Sequence, residues 1–354
     1  MGTSIGSLFR KYCTDQKQNL SFVYGSLFGL SAGVLLFVSS RWNRKLSAVI
    51  NIADLYFSAL KIFGPKLIAH DSDTINAKRK AQLNLPIGPR IPVHNKINIV
   101  IESVAGHKIP INIYRPIDCK PNCPIIVYLH GGGFVVGNAE MYEPITTRIA
   151  DETKSIVAAI DYRKAPEFKF PCGPHDCIEA TRWLYENCNT FGADPDKLVV
   201  LGDSAGGNLT IIVTCELYHI VKLSIPIYPV VFFGTLSESK LEYADAPILT
   251  YKALEWYNLR YFSSRSDLMH PFANPLVRNL TNLPRTHVIT AECDVLVDEG
   301  KAYVAALQQA NVNVTHKMYM NTVHGFFGAI LLTHGTEALL DTCRLITSQF
   351  EQIL

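Results

Sequence analysis

The sequence predicts an α/β protein in which helices cover a mostly parallel β-sheet. After residue 96, short apolar runs rich in β-branched residues recur, and from the third onward they alternate with segments of helical spacing. Most of these runs are continuously apolar, which is typical of strands buried on both faces of a parallel sheet. The predicted strands are 97–103, 109–114, 124–129, 155–161, 197–201, 225–231, 285–290 and 314–320. The predicted helices are 141–153, 174–187, 205–222, 298–311 and 334–352. The first two strands resemble a hairpin and the rest resemble repeated βαβ units.

Composition supports one large domain with an accessory segment. The chain has 354 residues, 48% of them hydrophobic and 18% charged, which suits a well-buried core. The formal net charge is only +2, and the longest basic run is Lys78-Arg79-Lys80. These values do not indicate the strongly basic surface that is typical of nucleic-acid-binding proteins.

Residues 20–40 contain no charged residue and no proline. As a helix they would span about 30 Å, the thickness of the hydrocarbon core of a bilayer. A buried core helix or a cleaved signal peptide are the alternatives, but the stretch is longer than a signal peptide's apolar region. We therefore predict that 1–19 is a tail and 20–40 a transmembrane signal anchor. Gly25, Gly29 and Gly33 would line one face of this helix and could mediate a homodimer.

Two segments are candidates for a cap over a substrate site. Residues 41–96 begin with an amphipathic stretch and continue as a polar, proline-punctuated linker. Residues 232–283 interrupt the strand–helix alternation with aromatic residues and little strand character. We predict that 41–96 is a cap or linker segment, that 97–354 is the catalytic domain, and that 232–283 is a cap insertion within it.

A serine lies on a predicted strand-to-helix turn, in Gly202-Asp203-Ser204-Ala205-Gly206 behind the apolar run 197–201. Glycines two residues before and after Ser204 allow the tight turn that exposes a nucleophilic hydroxyl. An ordinary glycine-rich turn is the alternative, so the interpretation depends on the other strand ends.

Two of those strand ends supply an acid and a base. Asp294 follows the strand at 285–290, and His324 follows the strand at 314–320. Ligands of such sheets bind beyond the carboxyl ends of the strands, and the order Ser, Asp, His is that of α/β-hydrolases. His324 would accept the proton of Ser204, and Asp294 would orient the imidazole. Asp298 competes for the acid role but is better placed as a helix N-cap.

A glycine loop follows the strand at 124–129. His130, Gly131, Gly132 and Gly133 form this loop, and we predict that its backbone N–H groups, with that of Ala205, stabilise an oxyanion. A phosphate-binding loop is the alternative for these glycines, but the Lys-Ser/Thr ending of such a loop does not follow them. His130 itself is better explained as a structural residue of the loop.

Five motifs together resemble the hormone-sensitive-lipase-like family of carboxylesterases. They are HGGGF at 130–134, YRKAPE at 162–167, GDSAGGN at 202–208, DVLVDEG at 294–300 and HGF at 324–326. With its apolar N-terminal stretch, the chain resembles the membrane-anchored arylacetamide deacetylase branch. Lys164 and Val295 depart from the usual motifs beside the reacting groups, not on them.

The resemblance implies an α/β-hydrolase fold, with Ser204 as nucleophile, Asp294 and His324 as its partners, and Gly131–Gly133 with Ala205 around the oxyanion. It implies a single-pass anchor in the endoplasmic reticulum with a lumenal catalytic domain. The implied substrates are lipophilic or short-acyl esters, and in some cases amides. A ligand receptor on the same fold is the alternative, although such receptors tend to lose the histidine.

No cofactor or metal is predicted, because serine hydrolysis needs neither and the cysteines show no four-ligand spacing. The nine cysteines leave disulfide pairing open. Asn279 and Asn313 lie in glycosylation sequons that would be used only in the lumen. Asn208 also fits the pattern, but we expect it to be buried in the helix after Ser204.

Overall fold

A single β-sheet organises the part of the chain that the computed structural model describes, namely residue 75 and residues 89–330, 332 and 334–351. Its eight strands in this part are β1 (Asn95–Glu102), β2 (Lys108–Arg115), β3 (Cys123–Leu129), β4 (Ile156–Ile160), β5 (Ala193–Asp203), β6 (Leu223–Ile227), β7 (Arg285–Cys293) and β8 (Val314–Val323). They are ordered β1-β2-β4-β3-β5-β6-β7-β8. β2 pairs antiparallel with both β1 and β4, and all other neighbours are parallel.

Helices connect the parallel strands. The α-helices of the described residues are α1 (Glu143–Thr153), α2 (Cys172–Asn187), α3 (Ala205–Glu216), α4 (Glu238–Glu242), α5 (Tyr251–Tyr261), α6 (Val297–Gln309) and α7 (Gly335–Glu351). Short 3₁₀ helices cover Cys188–Phe191, Arg265–Met269 and Pro275–Val277. α4 and α5 both belong to the predicted insertion at 232–283.

The predicted α/β class with a mostly parallel sheet is confirmed. The helices α4 and α5 are additional to the prediction, and the other differences lie at element ends. The strand predicted to reach residue 231 ends at Ile227. Tyr228 has a φ of 32°, which lies outside the extended region and turns the chain away from the sheet. The helix predicted for 205–222 ends at Glu216, because Leu217 leaves the helical region with a φ of −119°.

The core lies on both faces of the central strands. Every residue of β4 and β6 is buried, as their continuous apolar character predicts. One cluster includes Tyr128, Ile145 and Phe350 and covers the face under α1 and α7. A second includes Ile211 and Tyr303 and covers the face under α3 and α6. Each fully buried large side chain contributes roughly 1.5–3 kcal/mol.

Predictions for the N-terminal region lie outside the described residues. These are the tail at 1–19, the anchor at 20–40 with Gly25, Gly29 and Gly33, and nearly all of the segment 41–96. Within the described part of the chain, no helix combines the length and apolar character needed to cross a membrane.

The first turn of α3 packs directly on the end of β3. A Cβ atom at Gly206 would lie 1.9 Å from the carbonyl oxygen of Leu129, and one at Gly202 would lie 2.3 Å from the same oxygen. Both distances are far below any van der Waals contact. The two glycines around Ser204 are therefore required by the close approach of the helix to the sheet.

We predict that Gly206→Ala lowers the free energy of unfolding by about 3 kcal/mol, the upper end of the cost of overpacking, because backbone atoms of β3 must move. Gly106→Ala is the control. Its Cβ would meet no atom closer than 3.9 Å, and its φ of 77° costs about 1 kcal/mol. Urea unfolding of both variants measures the difference, and equal losses would contradict the packing argument.

Candidate active site

Three side chains from separate strand ends form a hydrogen-bonded chain. Ser204 follows β5, Asp294 follows β7 and His324 follows β8. His324 Nε2 lies 2.8 Å from Ser204 Oγ, and His324 Nδ1 lies 2.7 Å from Asp294 Oδ2. The structure thus brings together the three residues that the sequence analysis selected, in the geometry of a nucleophile, a base and an orienting acid.

Ser204 occupies a strained turn. Its backbone has φ 57° and ψ −117°, a region that L-residues rarely adopt and that costs on the order of 1–3 kcal/mol. The N–H of Ser204 donates to the carbonyl of Ile227 at the end of β6, at 2.9 Å. This bond and the glycine contacts of α3 hold the turn, so the hydroxyl projects at the carboxyl edge of the sheet.

Asp294 is fully buried and held in place by its own loop. Its Oδ1 accepts a hydrogen bond from the N–H of Leu296 at 3.0 Å, which leaves Oδ2 facing His324. The predicted N-cap role of Asp298 is wrong, because Leu296 occupies the N-cap position of α6. Asp298 lies inside the first turn and accepts from the N–H of Ser239 at 2.8 Å.

Tyr228 packs against the histidine, a contact that sequence reasoning missed. Its ring centroid lies 4.7 Å from that of His324, and its hydroxyl is hydrogen-bonded to the backbone of Phe327. Burial raises the pKa of Tyr228 well above its ordinary value, so the phenol stays neutral. Tyr228 therefore fixes the loop on which His324 lies.

The glycine loop differs from the predicted arrangement at Gly131. The N–H of Gly131 donates to Asp203 Oδ1 at 3.0 Å, so it is not directed at a substrate. No acceptor among the described residues receives the N–H groups of Gly132, Gly133 or Ala205. These three donors remain for an oxyanion.

His130 supports the loop instead of entering the site. Its ring stacks on Tyr162 at 4.3 Å, and its Nδ1 lies 2.7 Å from the carbonyl oxygen of Gly131. The Tyr162 hydroxyl donates to the carbonyl of His130 at 2.8 Å. Burial acts to raise the pKa of Asp161, but His130 and the Lys164 ammonium lower it to about 2. The YRKAPE motif therefore braces the glycine loop from behind.

Asp203 is the main residue that sequence reasoning left without a role. Its carboxylate accepts hydrogen bonds from Tyr128 Oη at 2.9 Å, Tyr142 Oη at 3.1 Å and the N–H of Gly131. Burial raises its pKa, and these donors act in the opposite direction. In the sequence, the position of Asp203 directly before Ser204 in the GDSAG motif is the feature that could have indicated this role. The contacts with Tyr128 and Gly131 span long sequence separations that no spacing reveals.

The insertion contributes an aromatic wall beside the glycine loop. The Tyr257 ring lies so close to Gly133 that a Cβ there would be 2.4 Å from a ring atom. Next to it, Phe134 stacks on Tyr261 with ring centroids 3.9 Å apart. Burial raises the pKa of Tyr257 to about 12, so its hydroxyl stays protonated. A substrate carbonyl at the loop would contact aromatic surface.

The described residues hold neither a cluster of metal ligands nor a disulfide bond. No group of three or more His, Cys, Asp or Glu side chains in this part of the chain could hold a metal ion. The cysteines from Cys119 to Cys343 are free thiols.

We predict that Asp203→Ala lowers kcat/KM about 100-fold, comparable to the loss of an oxyanion donor. The change leaves the Gly131 N–H and two buried phenols without an acceptor, so the glycine loop shifts. Asp203→Asn keeps one acceptor oxygen and should lose less. Asp196→Ala is the control, because Asp196 lies on the same strand in an exposed ion pair 3.3 Å from Lys222. Initial rates with a p-nitrophenyl ester would contradict this role if Asp203→Ala and Asp196→Ala behaved alike.

Known proteins share this architecture. The family model described as alpha/beta hydrolase fold matches residues 126–328. An ethyl acetate hydrolase of Pseudomonas putida is 34% identical over 62% of this chain and 72% of its own length. An arylesterase of Saccharolobus solfataricus is 33% identical over 68% of this chain and 80% of its own length. The structure of a Pyrobaculum calidifontis esterase matches with a TM-score of 0.78 at 33% identity and covers 86% of this chain and 98% of that one. The chain therefore belongs to the hormone-sensitive-lipase-like carboxylesterases of the α/β-hydrolase fold, and it is an ester hydrolase.

Proposed function

We propose that this protein is a membrane-anchored serine carboxylesterase that cleaves lipophilic or short-acyl esters through an acyl-enzyme intermediate. The observation that carries the proposal is the chain of hydrogen bonds from Asp294 through His324 to Ser204. It lies beside a glycine loop with N–H groups that have no acceptor among the described residues.

Acylation begins when Ser204 Oγ attacks the ester carbonyl carbon and its proton passes to His324 Nε2. The carbonyl oxygen gains the negative charge and accepts hydrogen bonds from the N–H groups of Gly132, Gly133 and Ala205. Each such donor is worth about 3 kcal/mol in the transition state. Asp294 stabilises the imidazolium and keeps its Nδ1–H directed at the carboxylate.

The tetrahedral intermediate collapses as the bond to the leaving alcohol breaks. His324 Nε2 gives its proton to the alkoxide, which leaves the acyl group on Ser204. A water molecule then attacks the acyl carbon and loses a proton to His324 in the same way. The second collapse releases the carboxylic acid and returns the proton to Ser204, so the site is restored.

The surroundings of the glycine loop support apolar substrates. Tyr257 and Phe134 present aromatic surface next to Gly133. The ring centroids of Phe233 and Phe134 lie 6.1 Å apart. Aromatic side chains offer large apolar surfaces, so the apolar part of a substrate can pack against them without a charged group being removed from water. The names of the relatives, an ethyl acetate hydrolase and an arylesterase, favour small acyl groups and aromatic alcohols for this chain as well. A role as an idle receptor would leave the ordered triad without a purpose.

We predict that the full-length protein hydrolyses p-nitrophenyl acetate and butyrate, and that Ser204→Ala lowers kcat by on the order of 10⁴ or more. A fluorophosphonate probe should label the wild type at Ser204 and fail to label the variant. Ser348→Ala is the control, because this hydroxyl only donates to the carbonyl of Leu345 within α7. A wild type with neither turnover nor labelling would refute the enzyme proposal.

The location proposed for this activity is the membrane of the endoplasmic reticulum, with residues 20–40 as a single-pass anchor and the catalytic domain in the lumen. The uncharged stretch is long enough to cross a bilayer as a helix. Asn279 and Asn313 are both exposed, so both sequons are accessible to the glycosylation machinery. Asn208 is fully buried, as expected, and its side chain donates to the carbonyl of Val230 at 2.9 Å.

In mammalian cells the protein should stay in the membrane pellet after extraction with alkaline carbonate. Endoglycosidase treatment should increase its mobility, and Asn279→Gln/Asn313→Gln should remove the whole shift, because Asn208 is inaccessible. Release into the carbonate supernatant would contradict the anchor. A shift that persists in the double variant would contradict the assignment of the glycosylated residues.

A further inference from the structure

A buried ion pair joins the insertion to the loop of the catalytic acid. Lys240 on α4 is 3% exposed and Glu299 on α6 is fully buried, and Lys240 Nζ lies 2.7 Å from Glu299 Oε1. Lysine and glutamate are almost never fully buried unless they are paired. The reaction described above uses neither residue, so the pair needs another explanation.

The remaining polar atoms of the pair are directed at the entry of the insertion. Glu299 Oε2 accepts from the N–H groups of Val231 at 2.7 Å and Phe232 at 3.1 Å. Lys240 Nζ also donates to the carbonyl of Thr235 at 2.7 Å. Residues 231–240 are therefore folded around one ion pair.

A second set of bonds ties the same segment to the residues directly after Asp294. Ser239 N–H donates to Asp298 Oδ2 at 2.8 Å, and Ser239 Oγ donates to the carbonyl of Val295 at 2.9 Å. Between these contacts lies Leu296, whose N–H holds Asp294 Oδ1. A displacement of α4 would therefore move this loop and change the orientation of the Asp294 carboxylate.

The segment also reaches the substrate side of the site. Phe233 follows the residues that Glu299 holds, and its ring lies 4.8 Å from that of Phe262 and 6.2 Å from that of Tyr261. Tyr261 in turn stacks on Phe134, the residue directly after the glycine loop. The segment that the ion pair holds thus contacts both the loop of the catalytic acid and the aromatic wall of the insertion.

We propose that Lys240 and Glu299 are positioning residues that lock the entry of the insertion, residues 231–240, onto the loop of Asp294. The orientation of the acid and the position of the aromatic wall are then set by the same contact. The inference rests on the proposed function in that Asp294 serves as the catalytic acid. It goes further by assigning the insertion a part in the chemistry.

The test compares three variants of the full-length protein on p-nitrophenyl butyrate. Lys240→Met leaves a buried carboxylate unpaired and should lower both the melting temperature and kcat. Lys240→Met/Glu299→Gln keeps an acceptor for the N–H groups of Val231 and Phe232 but removes both charges. It should regain thermal stability while kcat stays at least tenfold below that of the wild type, with a smaller change in KM. Lys222→Met is the matched control, because Lys222 lies before the start of β6 in a surface ion pair 3.3 Å from Asp196, and this variant should behave as the wild type does.

End-point labelling of Ser204 with a fluorophosphonate counts the folded sites, so that kcat is expressed per site. A stable double variant with the kcat of the wild type would overturn the proposal and make the pair purely structural. A double variant that does not fold would also overturn the proposal, because the pair would then be needed for folding itself. Failure of the proposed function is distinguishable from both results, because the wild type itself would then show no turnover and no labelling.

Discussion

The buried carboxylate of Asp203 is the interaction on which the site depends. Asp203 precedes Ser204 in the chain and accepts a hydrogen bond from Gly131, so the residue next to the nucleophile holds the first residue of the glycine run. Burial of a carboxylate is costly, and the two tyrosine hydroxyls with the Gly131 N–H offset that cost. Because the donor at Gly131 is held, the following N–H groups of the loop are presented in one orientation toward a substrate.

The order of the strands explains how residues far apart in sequence meet. β5, β6, β7 and β8 are neighbours in the sheet, and the reacting side chains follow β5, β7 and β8. None of the three follows β6, but residues at the end of β6 contact two of them. The carbonyl of Ile227 at its end holds the N–H of Ser204, and Tyr228 directly after it packs on His324. The edge of β6 therefore sets the separation between nucleophile and base.

The sequence predicted the fold class, the serine turn, the acid and the histidine, because each depends on local pattern or on chain order. What it missed depends on contacts between distant segments. The use of the Gly131 N–H by Asp203 could not be read from the glycine loop alone. The predicted N-cap at Asp298 failed in the same way, since this carboxylate accepts a hydrogen bond from Ser239 of the insertion and α6 begins after Leu296. The resemblance to a known family supplied roles for residues but not these contacts.

Asp203 and Glu299 are both buried carboxylates that hold a loop through hydrogen bonds to its backbone. Each buried carboxylate accepts backbone hydrogen bonding from the loop after a neighbouring strand: one N–H after β3 for Asp203, and two after β6 for Glu299. The donors to Asp203 in the described residues are neutral, whereas Glu299 is paired with a lysine that the insertion supplies. Sequence changes in the insertion that alter its aromatic wall must therefore keep Lys240 and Ser239 in place, since Lys240 pairs with Glu299 on α6 and Ser239 holds Val295 in the loop of Asp294.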